Sequence, residues 1–376
     1  MVFYSDFRTG CISPSVMLPV NRLAVLLEQV KENQISNCLF HTSAHSPSLY
    51  SDHVCDKNQF PSELMIELDK QPGEMWQVLF SHDGTKLASC GSDKTVFIWD
   101  VASFEVVHKL DGHEGGVGNL AWSPDDGMLV TCGTDRYARI WDTRTGALLK
   151  TLERFREPVS SCVWAADSRT FILGTFDKEK SLCQWNLEGE RLYTWSKKHR
   201  TGDLAVSPDG HWLVAMDDQE HLHVYNFITR DLEYEMELKS RPTSVSISQD
   251  SRFLLVNKQD GEAQLIEIAS REPVQKYTGH TGGEFTIRST FGGANESFVM
   301  SGSEGKRHEI RDPRDLTNPR LPLLLGVDGH VCIWHKSTGL PVERLIAHLP
   351  RCNAVSWNPT DPCMFATCGD DNKIKM

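Results

Sequence analysis

Short alternations of apolar and polar residues recur along the chain from residue 74 onward, and each is followed by a turn. "LASCGSDKTVFIWD" at 87–100 aligns without gaps on "LVTCGTDRYARIWD" at 129–142, and "FATCGDDNKIKM" at 365–376 follows the same pattern. Weaker or divided copies stand at 172–186, 213–226, 254–268 and, in two pieces, 301–304 with 328–335. A pattern that returns about every forty residues predicts a repeat architecture.

Each copy, with the residues around it, reads as four short strands. In the second unit, "GNLAWS" alternates, "PDDG" forms a turn, and "MLVTCG", "ARIWD" and "GALLKTL" supply three more strands. One such sheet cannot cover both of its faces, whereas seven sheets packed radially cover each face with a neighbour. The sequence therefore predicts an all-β fold, a seven-bladed WD-repeat β-propeller, over residues 63–376.

Recurring polar residues predict a buried hydrogen-bonded chain, or tetrad, within blades. Its members are a His before the first strand, a Ser or Thr on the second strand, an Asp in the next turn and a Trp on the third strand. The second and sixth blades supply His113, Thr131, Asp135 and Trp141, and His280, Ser301, Asp328 and Trp334. The first blade supplies Ser89, Asp93 and Trp99 without a His, and the seventh supplies His348, Thr367 and Asp371, with the chain ending one residue before the expected Trp.

A Ser–His–Asp set also suits a catalytic triad, but its recurrence at blade spacing favours the structural interpretation, because buried polar groups must be paired. Cys90, Cys132 and Cys368 share one strand position and are interpreted as core thiols rather than nucleophiles. We therefore predict that no residue of the chain is catalytic.

A propeller must join its first and last blades, or two sheet edges stay open. The seventh unit has only three strands, and "ELMIELD" at 63–69 alternates just before the first blade. We expect this segment to pair with "NKIKM" at 372–376 and close the ring. The alternative is that 63–69 is only a linker.

Residues 1–62 form a separate N-terminal region with a short amphipathic helix. Within 17–40, Leu23, Leu26, Leu27 and Val30 have helical spacing. The helix is either the tail of a helical domain or is laid on the propeller. His41 and His45 are four residues apart, but a surface loop is the favoured interpretation over a metal site. We predict no metal and no cofactor.

Three consecutive stretches carry a specific resemblance: "PSVMLPVNRLAVLLEQVKENQISNCLFH", "DHVCDKNQFP" and "EMWQVLFSHDGTKLASCGSDKTVFIWD". Together they resemble the WD-repeat subunit of the GID/CTLH ubiquitin ligase, in a fungal version, over nearly the whole chain. The family's LisH, CTLH and CRA helical modules precede its propeller. Here only what resembles the tail of the last helical region is present, as expected of an N-terminally truncated gene model.

The resemblance implies a non-catalytic scaffold that links core assemblies and recruits partners or substrates for ubiquitin-dependent, proteasomal degradation. Partner RING subunits would carry out ubiquitin transfer with a conjugating enzyme. The alternative within binding modules is a generic WD-repeat adaptor in signalling or chromatin complexes.

Residues 305–327, "GKRHEIRDPRDLTNPRLPLLLGV", interrupt the sixth blade where other blades have a short turn. Gly305-Lys306 can be encoded by GGTAAG, a splice donor, and Thr317-Asn318 by ACTAAC, a fungal branch point. Leu325-Gly326 can be written TTAGGN, which contains an acceptor AG. We interpret the segment as a translated intron rather than a functional loop.

The charge and composition of the chain argue against some kinds of binding partner. The formal net charge of the 376 residues is −12, which argues against non-specific binding to nucleic acid or anionic membranes. An apolar run long enough to span a bilayer and a secretory signal are both missing from the sequence. The eleven cysteines include no CxxC motif, so reduced thiols and a cytoplasmic and nuclear location are expected.

An interaction scaffold and an enzyme make different predictions. An enzyme requires acids, metal ligands or a nucleophile from several blades to converge at one mouth of the channel, whereas a scaffold needs only exposed loops. The sequence favours the scaffold, with protein partners. Arg200, Arg241 and Arg351 each precede the first strand of a blade and are candidates for a basic patch that binds an acidic partner. The favoured interpretation is that they are solvated loop residues.

Overall fold

The computed structural model describes residues 21–43, 47–304 and 329–376. These residues form seven four-stranded antiparallel sheets, as the repeat pattern predicts. The segment interpreted as a translated intron, 305–327, lies outside the described residues, as do His45 and Asp328.

The elements follow the chain in blade order. The N-terminal region holds α1 (Arg22–Asn37), a 3-10 turn (Lys57–Gln59) and β1 (Glu67–Leu68). Blades one to three are β2 (Met75–Phe80), β3 (Lys86–Gly91), β4 (Val96–Asp100), β5 (Val106–Leu110); β6 (Val117–Trp122), β7 (Met128–Gly133), β8 (Ala138–Asp142), β9 (Leu148–Thr151); and β10 (Val159–Trp164), β11 (Thr170–Thr175), β12 (Leu182–Asn186), β13 (Arg191–Thr194). Blade three also has a 3-10 turn at Lys178–Lys180.

The remaining blades repeat this plan. Blades four and five are β14 (Thr201–Val206), β15 (Trp212–Asp217), β16 (His221–Asn226), β17 (Leu232–Glu237); and β18 (Pro242–Ile247), β19 (Phe253–Lys258), β20 (Glu262–Glu267), β21 (Pro273–Thr278). Blade six is β22 (Ser289–Gly292), β23 (Phe298–Ser301), β24 (His330–His335) and β25 (Pro341–Ile346), with a 3-10 turn at Ala294–Glu296. Blade seven is β26 (Cys352–Trp357), β27 (Phe365–Gly369), β28 (Ile374–Lys375) and β1.

The core lies between the blades rather than within them. Successive side chains of a strand point to opposite faces, so each strand feeds the junctions on both sides. On β7, Leu129 packs in the cluster shared with blade one, and Val130 packs in the cluster shared with blade three. Each of the seven junctions holds one such cluster, including the junction between blades seven and one. The ring therefore has no open sheet face within the described residues.

The upstream segment closes the ring. β1 pairs with β28 in antiparallel register, with Glu67 opposite Lys375 and Leu68 opposite Ile374. Backbone bonds extend the pairing, since Met376 N donates to the Ile66 carbonyl at 3.0 Å. The expectation that 63–69 completes the last sheet is confirmed, and the linker alternative is wrong.

The N-terminal helix is present, as its spacing predicts, but the propeller does not bury it. None of the α1 residues is buried, and Leu23 and Val30 are 70% and 47% exposed. Its C-terminal end contacts blade six, where Ser337 Oγ donates to the Ser36 carbonyl at 3.1 Å. Of the helices in the described ranges, none is long and apolar enough to cross a membrane.

Candidate functional site

Blade two holds a complete tetrad. Trp141 Nε1 donates to Thr131 Oγ1 at 2.9 Å, Thr131 Oγ1 lies 2.8 Å from His113 Nε2, and His113 Nδ1 lies 2.9 Å from Asp135 Oδ2. The His113 and Asp135 side chains are 0% and 3% exposed. Burial lowers the pKa of His113 despite the opposing effect of Asp135. Because substrate cannot reach these groups, their arrangement is that of a structural network.

Blades one and seven hold related chains. In blade one, Trp99 Nε1 donates to Ser89 Oγ at 2.9 Å, and Ser89 Oγ donates to Gln71 Oε1 at 2.5 Å. Gln71 precedes Ser89 by the same 18 residues that separate His113 from Thr131, so it occupies the place of the histidine. Within the described hydrogen bonds, Asp93 does not join this chain.

In blade seven, His348 contacts both of its predicted partners. His348 Nδ1 lies 2.7 Å from Asp371 Oδ1, and His348 Nε2 lies 2.8 Å from Thr367 Oγ1. The tetrad residues Ser89, Thr131 and Thr367 are all buried, so each chain links the inner strands of its blade out of contact with solvent.

Blade six differs from its predicted tetrad. His280 Nε2 lies 2.9 Å from Asn257 Oδ1 of blade five, and Asn257 Nδ2 donates to Ser301 Oγ at 3.2 Å. Trp334 Nε1 donates to the Thr278 carbonyl instead of Ser301. Asn257 occupies the strand position of Cys90 and Cys132, directly after the bulge in each register. Asn257 is 1% exposed, so its side-chain amide must form hydrogen bonds within the protein, and it bonds to both His280 and Ser301.

The three equivalent cysteines are core residues, as predicted. Cys90, Cys132 and Cys368 are all 0% exposed. Burial raises the pKa of each thiol, which opposes formation of a nucleophilic thiolate.

The three predicted partner-binding arginines lie on one edge of the ring, where the first strand of each blade begins. We call this edge the upper rim. The carbonyls of Arg200, Arg241 and Arg351 accept equivalent hydrogen bonds from the N–H groups of Asp218, Gln259 and Asp370, respectively, which shows that they occupy the same level.

Their side chains are not equally available. Arg200 Nε lies 3.3 Å from Asp218 Oδ2, and Arg351 Nε lies 2.6 Å from Asp370 Oδ2. Arg241 is exposed, and the position that holds aspartate in the other two blades is Gln259. The charge of the predicted patch is therefore largely neutralised at two of its three residues, and Arg241 is the one that faces a neutral residue.

Aromatic side chains stand beside these arginines. The Arg351 guanidinium lies 3.4 Å from the centroid of the Phe285 ring, and that of Arg200 lies 5.0 Å from the Phe176 ring. Phe285 is 41% exposed. Phe176, Phe285 and Arg351 line a cavity of about 570 Å³ at the upper rim together with Trp76. The repeat pattern does not predict these aromatic residues as a group. Alignment of the repeats does place Trp76 at the start of the first strand of blade one and Phe176 directly after the second strand of blade three.

The channel contains a paired carboxylate rather than a free acid. Asp203 of blade four meets Arg288 of blade six, whose Nη1 lies 3.2 Å from Asp203 Oδ2. Asp203 also accepts a hydrogen bond from the Val245 N–H at 3.2 Å. A carboxylate bound in this way links blades four and six, which flank blade five, and is not positioned as a general base.

Four potential metal ligands meet outside the ring. Cys38, His41, His53 and Cys55 each place one ligand atom within 4.8 Å of the others. The sequence favours a surface loop at His41, whereas the structure places three potential partner ligands beside it. The available signal was the pair of spacings Cys-x-x-His at 38–41 and His-x-Cys at 53–55.

Comparison with known proteins agrees with the fold. The family model described as the IFT122 first beta-propeller matches residues 60–310, and the model described as WD domain, G-beta repeat matches residues 339–376.

Among curated proteins, GID complex subunit 7 of Schizosaccharomyces pombe is 35% identical over 372 residues, covering 97% of this chain and 68% of that protein. The WD repeat-containing protein 26 homolog of Arabidopsis thaliana is 34% identical over 369 residues, covering 96% of this chain and 58% of that protein. The WD repeat-containing protein WDS homolog of Arabidopsis thaliana is 34% identical over 370 residues, covering 96% of this chain and 66% of that protein. The chain thus spans roughly three fifths to two thirds of these relatives.

Proposed function

Because the chain belongs to the family of WD-repeat propellers that includes GID complex subunit 7 of Schizosaccharomyces pombe, we propose that it is a non-catalytic subunit of a GID-type ubiquitin ligase. In that role it links other subunits and recruits partners or substrates for proteasomal degradation. The observation that carries the proposal is the extent of the similarity, which includes the N-terminal region as well as the ring. A generic WD repeat would match the blades alone.

The geometry supports a scaffold rather than an enzyme. The Ser–His–Asp-like sets are buried in blade networks, and the channel carboxylate Asp203 is paired with Arg288. A closed ring with a core at each junction presents loops in fixed positions, which suits the binding of several proteins at once. The proposed partners are protein subunits, including the RING subunits that transfer ubiquitin.

We place the proposed docking surface on the upper rim, at Trp76, Phe176, Arg241, Phe285 and Arg351. Aromatic residues and arginine are enriched at the centres of protein interfaces, where they bury much area and form directed hydrogen bonds. On a chain of net charge −12, an exposed arginine beside aromatic rings favours an acidic segment of the partner.

Within the described residues no disulfide joins two cysteines, which is typical of reducing compartments. A cytoplasmic and nuclear location is part of the same proposal.

Co-purification tests the function. The tagged native protein is expressed at its natural level and isolated, and the associated proteins are identified by quantitative mass spectrometry. The proposal expects RING subunits and other ligase subunits in stoichiometric amounts. Recovery of signalling or chromatin factors in their place would favour the generic adaptor, and recovery of neither class would contradict the proposal.

A further inference from the structure

The segment between α1 and the first blade contains a cluster of two thiols and two imidazoles. His41 Nδ1 lies 2.8 Å from His53 Nε2, and Cys55 Sγ lies 3.2 Å from His53 Nε2 and 3.8 Å from His41 Nδ1. Cys38 completes the set, with all four ligand atoms within 4.8 Å of one another. The four atoms converge on one point although Cys38 and Cys55 are 17 residues apart.

We propose that Cys38, His41, His53 and Cys55 bind one zinc ion in a tetrahedral structural site. Zinc–sulfur bonds of about 2.3 Å and zinc–nitrogen bonds of about 2.0 Å require neighbouring ligand atoms to lie about 3.3 to 3.8 Å apart in a tetrahedron. The Cys55–His41 separation of 3.8 Å lies in this range, and the Cys55–His53 and His41–His53 separations of 3.2 and 2.8 Å are shorter than it. Two thiolates with two imidazoles favour zinc over calcium, magnesium or manganese, which prefer oxygen ligands.

The surroundings suit a closed site. Cys38 and His41 are 5% and 0% exposed, whereas His53 and Cys55 are partly exposed and give a metal ion a path from solvent. The Cys55 N–H lies 3.3 Å from Cys38 Sγ and donates to it, and such a bond stabilises the thiolate form of a ligand. Four protein ligands leave no position for water, so the site is structural rather than catalytic.

The position of the cluster indicates what the metal would hold in place. Cys38 is the C-terminal cap of α1, and its backbone lies beside the His335 side chain of blade six. Phe40 packs edge-on against Phe60, whose ring lies 5.1 Å from that of Phe298 in blade six. The zinc ion would join the two ends of the 38–55 segment and fix the C-terminal end of α1 against blades six and seven.

A metal analysis of the full chain tests the proposal. Protein purified without chelators is expected to contain about one zinc ion per chain. After zinc is removed, titration with Co²⁺ is expected to give the visible d–d bands of tetrahedral coordination and a sulfur-to-cobalt charge-transfer band. Zinc removal is also expected to lower the unfolding midpoint of the native protein.

The variants Cys55→Ala and His53→Gln alter partly exposed ligands, so folding is checked by tryptophan fluorescence and circular dichroism. Each is expected to reduce zinc content at least about tenfold. Cys363→Ala is the matched control, because Cys363 is an exposed free thiol outside the cluster, and it is expected to retain the metal.

Three results would each overturn the proposal. The first is native protein without zinc that also gives no tetrahedral Co²⁺ spectrum. The second is zinc that Cys55→Ala and His53→Gln retain as fully as Cys363→Ala does. The third is a Cys38–Cys55 disulfide in protein isolated under conditions that trap thiols.

Discussion

Closure of the ring by β1 makes Leu68 the most informative residue to change. Leu68 is 6% exposed and packs in the cluster shared by blades seven and one, with Ile374 as its cross-strand partner. Leu68→Ala removes buried apolar surface and leaves a cavity at the junction. Such substitutions lower the free energy of unfolding by about 2 to 5 kcal/mol.

Leu64→Ala is the matched control. Leu64 lies four residues earlier in the same segment and is 55% exposed, so its truncation is expected to change the free energy of unfolding by less than about 0.5 kcal/mol. Both variants are compared with the parent chain by urea unfolding, followed by tryptophan fluorescence and circular dichroism.

A double-mutant cycle isolates the closure itself. Combining Leu68→Ala with Ile374→Ala is expected to give a coupling energy of about 0.5 to 3 kcal/mol, because residues in contact do not act additively. Strict additivity, or a Leu68→Ala effect as small as that of Leu64→Ala, would refute the reasoning that β1 is the last strand of the ring.

Three further predictions concern single residues. Thr131→Val leaves the buried Trp141 indole without its acceptor and is expected to lower the free energy of unfolding by about 1 to 3 kcal/mol, with Thr131→Ser close to the parent; equal effects in thermal melts would contradict the tetrad. Burial and the neighbouring imidazole lower the pKa of His199 to about 3, so the unfolded chain binds this proton more tightly than the folded chain does. The contribution of His199 to the free energy of unfolding is fully present above pH ~6.5 and is expected to be about 2 kcal/mol lower at pH ~5. His199→Asn should remove that part of the pH dependence, and an unchanged pH profile would refute the prediction. Arg241→Glu is expected to weaken partner binding in calorimetry by about tenfold, whereas Arg252→Glu at the opposite edge should have little effect; equal effects would argue against the upper rim.

The repeat pattern predicts the fold well because each blade is built from local signals. Alternation gives the strands, Asp and Gly give the turns, and the common period gives the ring. Closure by β1 also follows, because a three-stranded last unit leaves an unpaired edge, and an alternating upstream segment can fill it.

Contacts between blades are harder to predict. Asn257 replaces a buried cysteine, and its amide takes His280 as a partner across the blade boundary, which no pattern within one repeat indicates. Gln71 occupies the place that a histidine has in other blades, and its side chain is chemically different from histidine. Only its spacing of 18 residues from Ser89 therefore identifies it as a member of the hydrogen-bonded chain.

The cluster of Cys38, His41, His53 and Cys55 is hard to predict for a related reason. The four-residue spacing of His41 and His45 would suit a helix, but α1 ends at Asn37 and residues 38–43 are not helical. His53 and Cys55 lie beside His41 although they are 12 and 14 residues further along the chain. Tertiary contacts of this kind leave no periodic signal.

Site-specific photo-crosslinking in the assembled complex tests most directly whether the upper rim binds partners. A photoreactive phenylalanine analogue is placed at Phe285, which is 41% exposed on that rim, and at Ile228, which is 64% exposed in the turn at the opposite edge. Position 285 is expected to crosslink to another subunit of a GID-type ligase, and position 228 is not. Crosslinking from position 228 with none from position 285 would contradict this expectation.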